Sequence, residues 1–152
     1  MMKRHGWHLL FHQCLIAQLL KLKAAVERAQ AQDPEGFASN ANVKLLNALA
    51  RLIFEIIPTN PDSERYRLGN TMGPEFRHWR RAKIGRFRLF FRFDSQTRII
   101  IYTWVNVTNT MRAAGSKTDP YTVFLKMLKS GNPPDDWSSL LAASKTQWDK
   151  TL

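Results

Sequence analysis

Between Arg65 and Arg92 the chain carries nine basic residues (Arg65, Arg67, Arg77, Arg80, Arg81, Lys83, Arg86, Arg88 and Arg92) and a single acid, Glu75. That 28-residue window holds +8 of a net charge of +11. Eight of the nine are arginine, whose planar fork binds phosphate oxygens in pairs and stacks on nucleobases. From Arg86 to Phe93 the residues alternate, so a strand would turn Phe87, Leu89, Phe91 and Phe93 one way and Arg86, Arg88, Phe90 and Arg92 the other. A solvated face usually mixes both signs of charge. Arginines aligned without an intervening acid repel one another and call for an external anion, which favours a phosphate-binding surface over a plain solubilising one.

Other chemistry is sparse. No H-E-x-x-H, Walker loop, G-x-S-x-G or Cys/His cluster occurs, and His8 and His12 stand four apart without a further ligand, so no metal site and no cofactor is expected. Cys14 is the one cysteine and sits in an aliphatic run, where a small buried residue is the plain reading. His78 is the single histidine of the basic region; an inert residue or an RNA contact is the commoner role for such a side chain. Any reaction centred there must therefore use arginine, lysine and tyrosine. Tyr102 and Trp104 would share one face of the following strand, either as stacking surfaces for bases or as core, and the two readings stand even.

These residues need a scaffold. An apolar strand is expected at 6–11, then a helix over 13–32 with Leu15, Leu19, Leu22 and Val26 on one face, closed by Asp33-Pro34. A second helix is expected over 42–57, ended by Pro58, then a long loop over 59–74 with a short edge strand at 66–68. Strands follow at 79–84, 86–93 and 98–106. Asp119-Pro120 opens a helix that Gly131 and Pro133-Pro134 stop, and Asp135 or Asp136 caps a last short helix carrying Trp137, Leu140, Leu141 and Trp148. Helices, a strand meander, then helices argue an α+β fold. At 152 residues, 44% hydrophobic and 23% charged, the chain reads as one globular domain over 1–152. The N-terminal uncharged stretch is broken by His and Gln and is too short to span a bilayer, so neither a secretory signal nor a membrane anchor is expected. The lack of any possible internal disulfide fits a reducing cytosol, so a cytoplasmic location is expected.

The FRLFFRF strand (87–93), the IIIYTWVN strand, NTMR (109–112), GSKTDPYTVFLKMLKSGNPP (115–134), the GWHLLFHQC opening and the NVKLLNAL helix together resemble the YhaV-type toxins of the RelE superfamily. TDPYTVFLKMLKSGNPP is the most specific of these. The resemblance implies a compact antiparallel sheet, with two N-terminal helices packed on one face, C-terminal helices, and an open basic groove on the other. It implies a toxin of a type II toxin–antitoxin system, an endoribonuclease that cleaves mRNA at the ribosome and so inhibits translation. A cognate AbrB-like (PrlF-type) antitoxin would neutralise it, and operator DNA would be met only through the toxin–antitoxin complex.

Carried over by position, the resemblance makes Arg88 the residue that stabilises charge on the scissile phosphate. Arg81 or Lys83 would help activate the 2′-hydroxyl, with the choice between them open. Arg112 would be a phosphate clamp or proton donor, and Tyr121 would stack on a base or assist proton transfer, unless it simply starts a helix. Arg77, Arg80, Arg86, Arg92 and Lys117 would contact RNA. Attack of a 2′-hydroxyl on its adjacent phosphate needs no metal, and a cluster of cations favours the neutral form of a neighbouring lysine while stabilising the transition state. A non-catalytic RNA- or DNA-binding module using the same face is the competing reading.

Overall fold

The computed structural model describes residues 2–107 and 118–145. Strand β1 (Met2–Arg4), which the apolar pattern does not predict, pairs antiparallel with β2 (Trp7–His12). The turn between them holds His5 at φ 49° and Gly6 at φ 85°, the left-handed pair that a tight hairpin needs. Helix α1 (Gln13–Gln32) begins where the His12 Nδ1 accepts the Cys14 N–H at 3.0 Å, and it buries Leu15, Ile16, Leu19 and Leu22. Helix α2 (Ala41–Arg51) is capped by Asn40, whose Oδ1 accepts from the Asn42 N–H at 2.8 Å. It ends earlier than its apolar periodicity predicts. Leu52–Ile56 widens into a π-turn and Ile57–Thr59 tightens into a 3-10 turn, because Pro58 cannot donate into the ladder and crowds the preceding turn.

The 66–68 segment is not a strand. Glu64–Tyr66 is a 3-10 turn, and only Arg67 bridges to Arg80. The meander follows as β3 (Arg80–Ile84), β4 (Phe87–Asp94) and β5 (Ile99–Val105), all antiparallel. Helices α3 (Pro120–Ser130) and α4 (Trp137–Ala142) and the short β6 (Ser144–Lys145) complete the described chain. Asp136 is the α4 cap, accepting from the backbone N–H and hydroxyl of Ser139, bonds that hold its carboxyl below the usual range. Trp148 lies outside the described residues.

The sheet runs β1-β2-β5-β4-β3, with β6 on β2. It is mixed, not antiparallel throughout, since β2 runs parallel to β5. Ile100 and Ile101 of β5 are both fully buried, on opposite faces, so this strand needs a neighbour on each edge as well as cover on each side. β4 takes one edge. The N-terminal strand takes the other, after a helical crossover long enough to allow a parallel pair.

Register shifts between Phe90 and Phe91: Phe91 faces Tyr102 while Phe90 faces Trp104. Thr103 is thus one extra residue in β5, and its hydroxyl donates to the Phe90 carbonyl at 2.9 Å. Tyr102 and Trp104 consequently do not share a face, contrary to the simple alternation. Tyr102 joins Phe11 and Phe91 in one core, with its hydroxyl on the Ile53 carbonyl at 2.8 Å. Trp104 joins Phe90 and Phe124 in the other. Neither is available to stack on a base.

Two cores therefore flank the sheet. One gathers α1 and α2 side chains with Trp7, Leu9, Phe11, Leu89 and Phe91. The other gathers Phe124 and Leu128 of α3 and Leu140 of α4 with Leu10, Trp79, Phe90 and Ile101. Phe124 stacks on Phe90 at 4.2 Å. The strand face carrying Arg88, Phe90 and Arg92 is accordingly roofed by C-terminal helices and is not the open groove expected. No helix among the described residues is long and apolar enough to cross a membrane.

Candidate active site

Directly opposed residues of an antiparallel pair project from the same face. Lys83 opposes Arg88 and Arg81 opposes Phe90, so Arg81, Lys83 and Arg88 rise together from β3 and β4. Above them α3 begins with Pro120 at its first position, which presents Tyr121 in the first turn. The Tyr121 ring stands edge-on to Phe90 at 5.7 Å. Its hydroxyl oxygen accepts the Nε–H of Arg81 at 2.7 Å and the Nε–H of Arg88 at 3.1 Å. Both guanidinium carbons lie 6.0 Å from the ring centroid.

The two arginines are held by neutral dipoles. Arg88 is only 9% exposed, donates from Nη1 to the carbonyls of Gly85 at 2.7 Å and Phe87 at 2.9 Å, and gives its backbone N–H to Asn106 Oδ1 at 2.7 Å. Arg81 donates from Nη1 to the carbonyls of Arg65 at 3.1 Å and Arg67 at 3.0 Å. Among the described residues no carboxylate forms an ion pair with either. Two positive groups fixed by carbonyls and a phenol, with no counter-ion among the described residues, make a preorganised seat for an anion or for developing negative charge.

Lys83 is exposed beside this pair and lines a cavity of about 160 Å³ with Leu52, Arg65, Tyr66 and Ala82. Arg86 is exposed just past the Gly85 turn, where φ is 55°. Arg112 and Lys117 lie outside the described residues.

The remaining arginines are placed elsewhere. Arg92 lies between the rings of Trp79 and Trp137, at 5.6 and 5.3 Å, and its Nη1 donates to the Asp135 carbonyl at 2.6 Å. Burial lowers its pKa, and Asp135 and Asp136 oppose that shift. It lies four positions along the strand from Arg88, roughly 13 Å, so the structure does not bring side chains 88 and 92 to one phosphate. Arg80 opposes Phe91 and thus faces away from Arg81. It lies 5.4 Å from the Phe93 ring centroid, and its Nη1 reaches the Arg77 and Trp79 carbonyls at 2.8 and 3.2 Å. Arg77 bonds Asn70. His78 is 2.6 Å from Asp135 Oδ1, which also accepts the Trp79 Nε1–H at 2.6 Å, so this histidine ties the start of β3 to the segment before α4.

Asn106 and the Arg65 and Arg67 carbonyls were not among the expected site residues. The signal for Asn106 was faint: a polar residue closing an apolar strand between Val105 and Val107. Nothing in the one-dimensional pattern marks the carbonyls. Among the described residues no group of three or more His, Cys, Asp or Glu side chains is placed to hold a metal ion.

Residues 9–145 match the family model described as a toxin with endonuclease activity, of a toxin–antitoxin system. The chain is 44% identical over 139 residues, 90% of each sequence, to the toxin YhaV of Escherichia coli O6:H1. It is 43% identical over the same length and shares to the ribonuclease toxin YhaV of Escherichia coli K12. No solved structure matches it. With a family match and relatives both spanning nearly the whole chain, the protein belongs to the YhaV family of endonuclease toxins of toxin–antitoxin systems.

Proposed function

We propose that the protein is a metal-independent endoribonuclease that cleaves mRNA, on translating ribosomes, by attack of a 2′-hydroxyl on the adjacent phosphate. The observation that carries this reading is the joint donation of Arg81 and Arg88 to the Tyr121 hydroxyl. A phosphate oxygen beside that phenol would find both guanidinium groups held side by side.

In the reaction a base takes the 2′-hydroxyl proton, the freed oxygen attacks phosphorus, and the 5′-oxygen leaves with a proton from an acid. A 2′,3′-cyclic phosphate and a 5′-hydroxyl end result. Lys83 suits the base better than Arg81, because it is exposed opposite Arg88 while Arg81 is committed to one phenol and two carbonyls and an arginine keeps its proton. Arg88, with Arg81, stabilises the charge that builds on the phosphorane oxygens. Tyr121 positions both and stands next to the reacting phosphate for proton transfer. Arg112 as a clamp and Lys117 and Arg86 as RNA contacts complete the proposal. Arg92 is assigned to the fold.

The ribosome would supply substrate orientation that such weak acid–base groups need. An AbrB-like (PrlF-type) antitoxin would neutralise the basic surface, and the complex rather than the toxin would meet operator DNA. A RelE-like relationship of sheet and N-terminal helices and a cytoplasmic site of action belong to the same reading.

The test is cleavage of a defined mRNA with purified protein, with and without ribosomes, and of the ribosome-free RNA in the presence of EDTA. The expected outcome is a 2′,3′-cyclic phosphate end, no loss of activity with chelator, and no cutting of an RNA whose 2′-hydroxyls are methylated. Cleavage of that methylated RNA would reject the mechanism.

A further inference from the structure

A second basic site lies beyond β3. The loop from Leu68 to Arg77 curls against the start of β3 to leave a depression of about 330 Å³, lined by Arg67, Leu68, Gly69, Asn70, Arg77 and Arg80. This is the lower end of the size range of small-ligand sites, about 300–1,000 Å³. Its walls carry three guanidinium groups. Gly69 holds φ 58°, and no atom stands within 4 Å of where its Cβ would be, so the floor is open there. The Arg80 Nε is buried without a hydrogen-bond partner among the described residues.

One anion of the protein already reaches the site. The Asp62 Oδ1 stands 3.7 Å from Arg67 Nη2 and 3.5 Å from Arg80 Nη2. Both contacts are long, and Asp62 and Arg67 are exposed while Arg80 is largely buried; one carboxylate against three arginines leaves the depression positive. The depression is also mechanically joined to the candidate active site. The Arg67 carbonyl accepts from Arg81 Nη1, while the Arg67 side chain turns toward Asp62. Arg80 and Arg81 are neighbours on β3 that face opposite sides of the sheet edge.

We propose that this depression is a second phosphate subsite, which holds a backbone phosphate of the RNA strand flanking the scissile one. The strand would cross the β3 edge, with the reacting phosphate at Arg81 and Arg88 and a flanking phosphate at Arg67, Arg77 and Arg80, displacing Asp62. Asp62 then acts as a built-in competitor that weakens binding of short or misplaced polyanions. The proposal rests on the ribonuclease reading given above.

The probe is a 2′-O-methyl oligoribonucleotide, which binds without being cut, measured in a short and a longer form over a range of salt. Arg67→Gln with Arg77→Gln is expected to weaken the longer oligonucleotide about tenfold and to lower the salt slope by about 0.7 for each phosphate no longer neutralised. The short form should be little affected. Asp62→Asn should tighten binding, and Arg28→Gln, which removes the same charge from α1, should change neither quantity. An unchanged affinity and salt slope in the Arg67/Arg77 double variant would overturn the subsite. If that same variant still cuts RNA and Arg88→Ala does not, the ribonuclease reading survives its loss. Absence of both RNA binding and cleavage in the wild-type protein would overturn the two together.

Discussion

Arg88 on β4 and Tyr121 on α3 meet at 3.1 Å, Nε–H to hydroxyl, across 33 residues of sequence. The same oxygen accepts from Arg81 on β3, so one phenol sets the spacing of the two cations. The site is therefore formed only when α3 is seated on the sheet, through Phe124 against Phe90 and Trp104.

Tyr121→Phe keeps the ring on Phe90 and removes that shared acceptor. Two partly buried guanidinium N–H groups then lose a partner, which should cost about 1–3 kcal/mol in urea unfolding. RNA cleavage should fall as well. A variant as stable and as active as wild type would show that the phenol oxygen has no part in holding the arginines.

Arg88→Ala should reduce cleavage about 10²–10³-fold, the usual effect of losing one preorganised donor to developing charge. Arg88→Lys should recover little, because an ammonium cannot reach the Gly85 carbonyl and a phosphate with the same fork. Single-turnover rates on a folded protein, checked by circular dichroism, decide this. Full growth arrest by a folded Arg88→Ala protein would contradict the assignment.

Asn106→Ala leaves the backbone N–H of Arg88 buried without its acceptor, a loss of about 1–3 kcal/mol. Denaturation of purified protein measures the stability loss. Cleavage by the surviving folded fraction should also drop, since the strand end that aims Arg88 is loosened.

Asp135→Ala removes the acceptor shared by Trp79 Nε1 and His78 while the Asp135 carbonyl still holds Arg92. The carboxylate is partly exposed, so a loss of about 1 kcal/mol is expected. The tryptophan emission should shift, and the rate per folded molecule should stay near wild type. A collapse of activity without loss of fold would place Asp135 in the chemistry instead.

His12 supplies a pH dependence. Burial lowers its pKa below the ordinary 6.5, and its Nδ1 must stay unprotonated to accept from Cys14. Stability from this group is complete above 6.5, where folded and unfolded chains both carry it neutral. It is lost as pH falls below that value, because the unfolded chain takes up the proton first, and the loss levels off once the folded form is protonated too. In His12→Asn, which keeps a capping oxygen, this part of the acid slope should disappear from the pH profile of unfolding.

Much of this protein was legible along the chain. The periodicities of Leu15, Leu19 and Leu22, the alternation at 87–93 and the Asp119-Pro120 start mark elements that local geometry dictates, and these formed where expected. The basic window was legible for the same reason, residue types at short spacings, and the family resemblance supplied Arg81, Lys83, Arg88 and Tyr121 as candidates. Three things depended on contacts between distant segments. The parallel seat of β2 beside β5 follows from β5 needing two neighbours. Thr103 shifts the strand by one residue and sends Tyr102 and Trp104 to opposite cores, which no alternation rule contains because a bulge is stabilised by its partner strand. The C-terminal helices then divide the arginines, enclosing Arg92 between Trp79 and Trp137 while leaving Arg88 with Tyr121. Alternation tells which side chains share a face of a strand; only packing decides which of them that face leaves for a substrate.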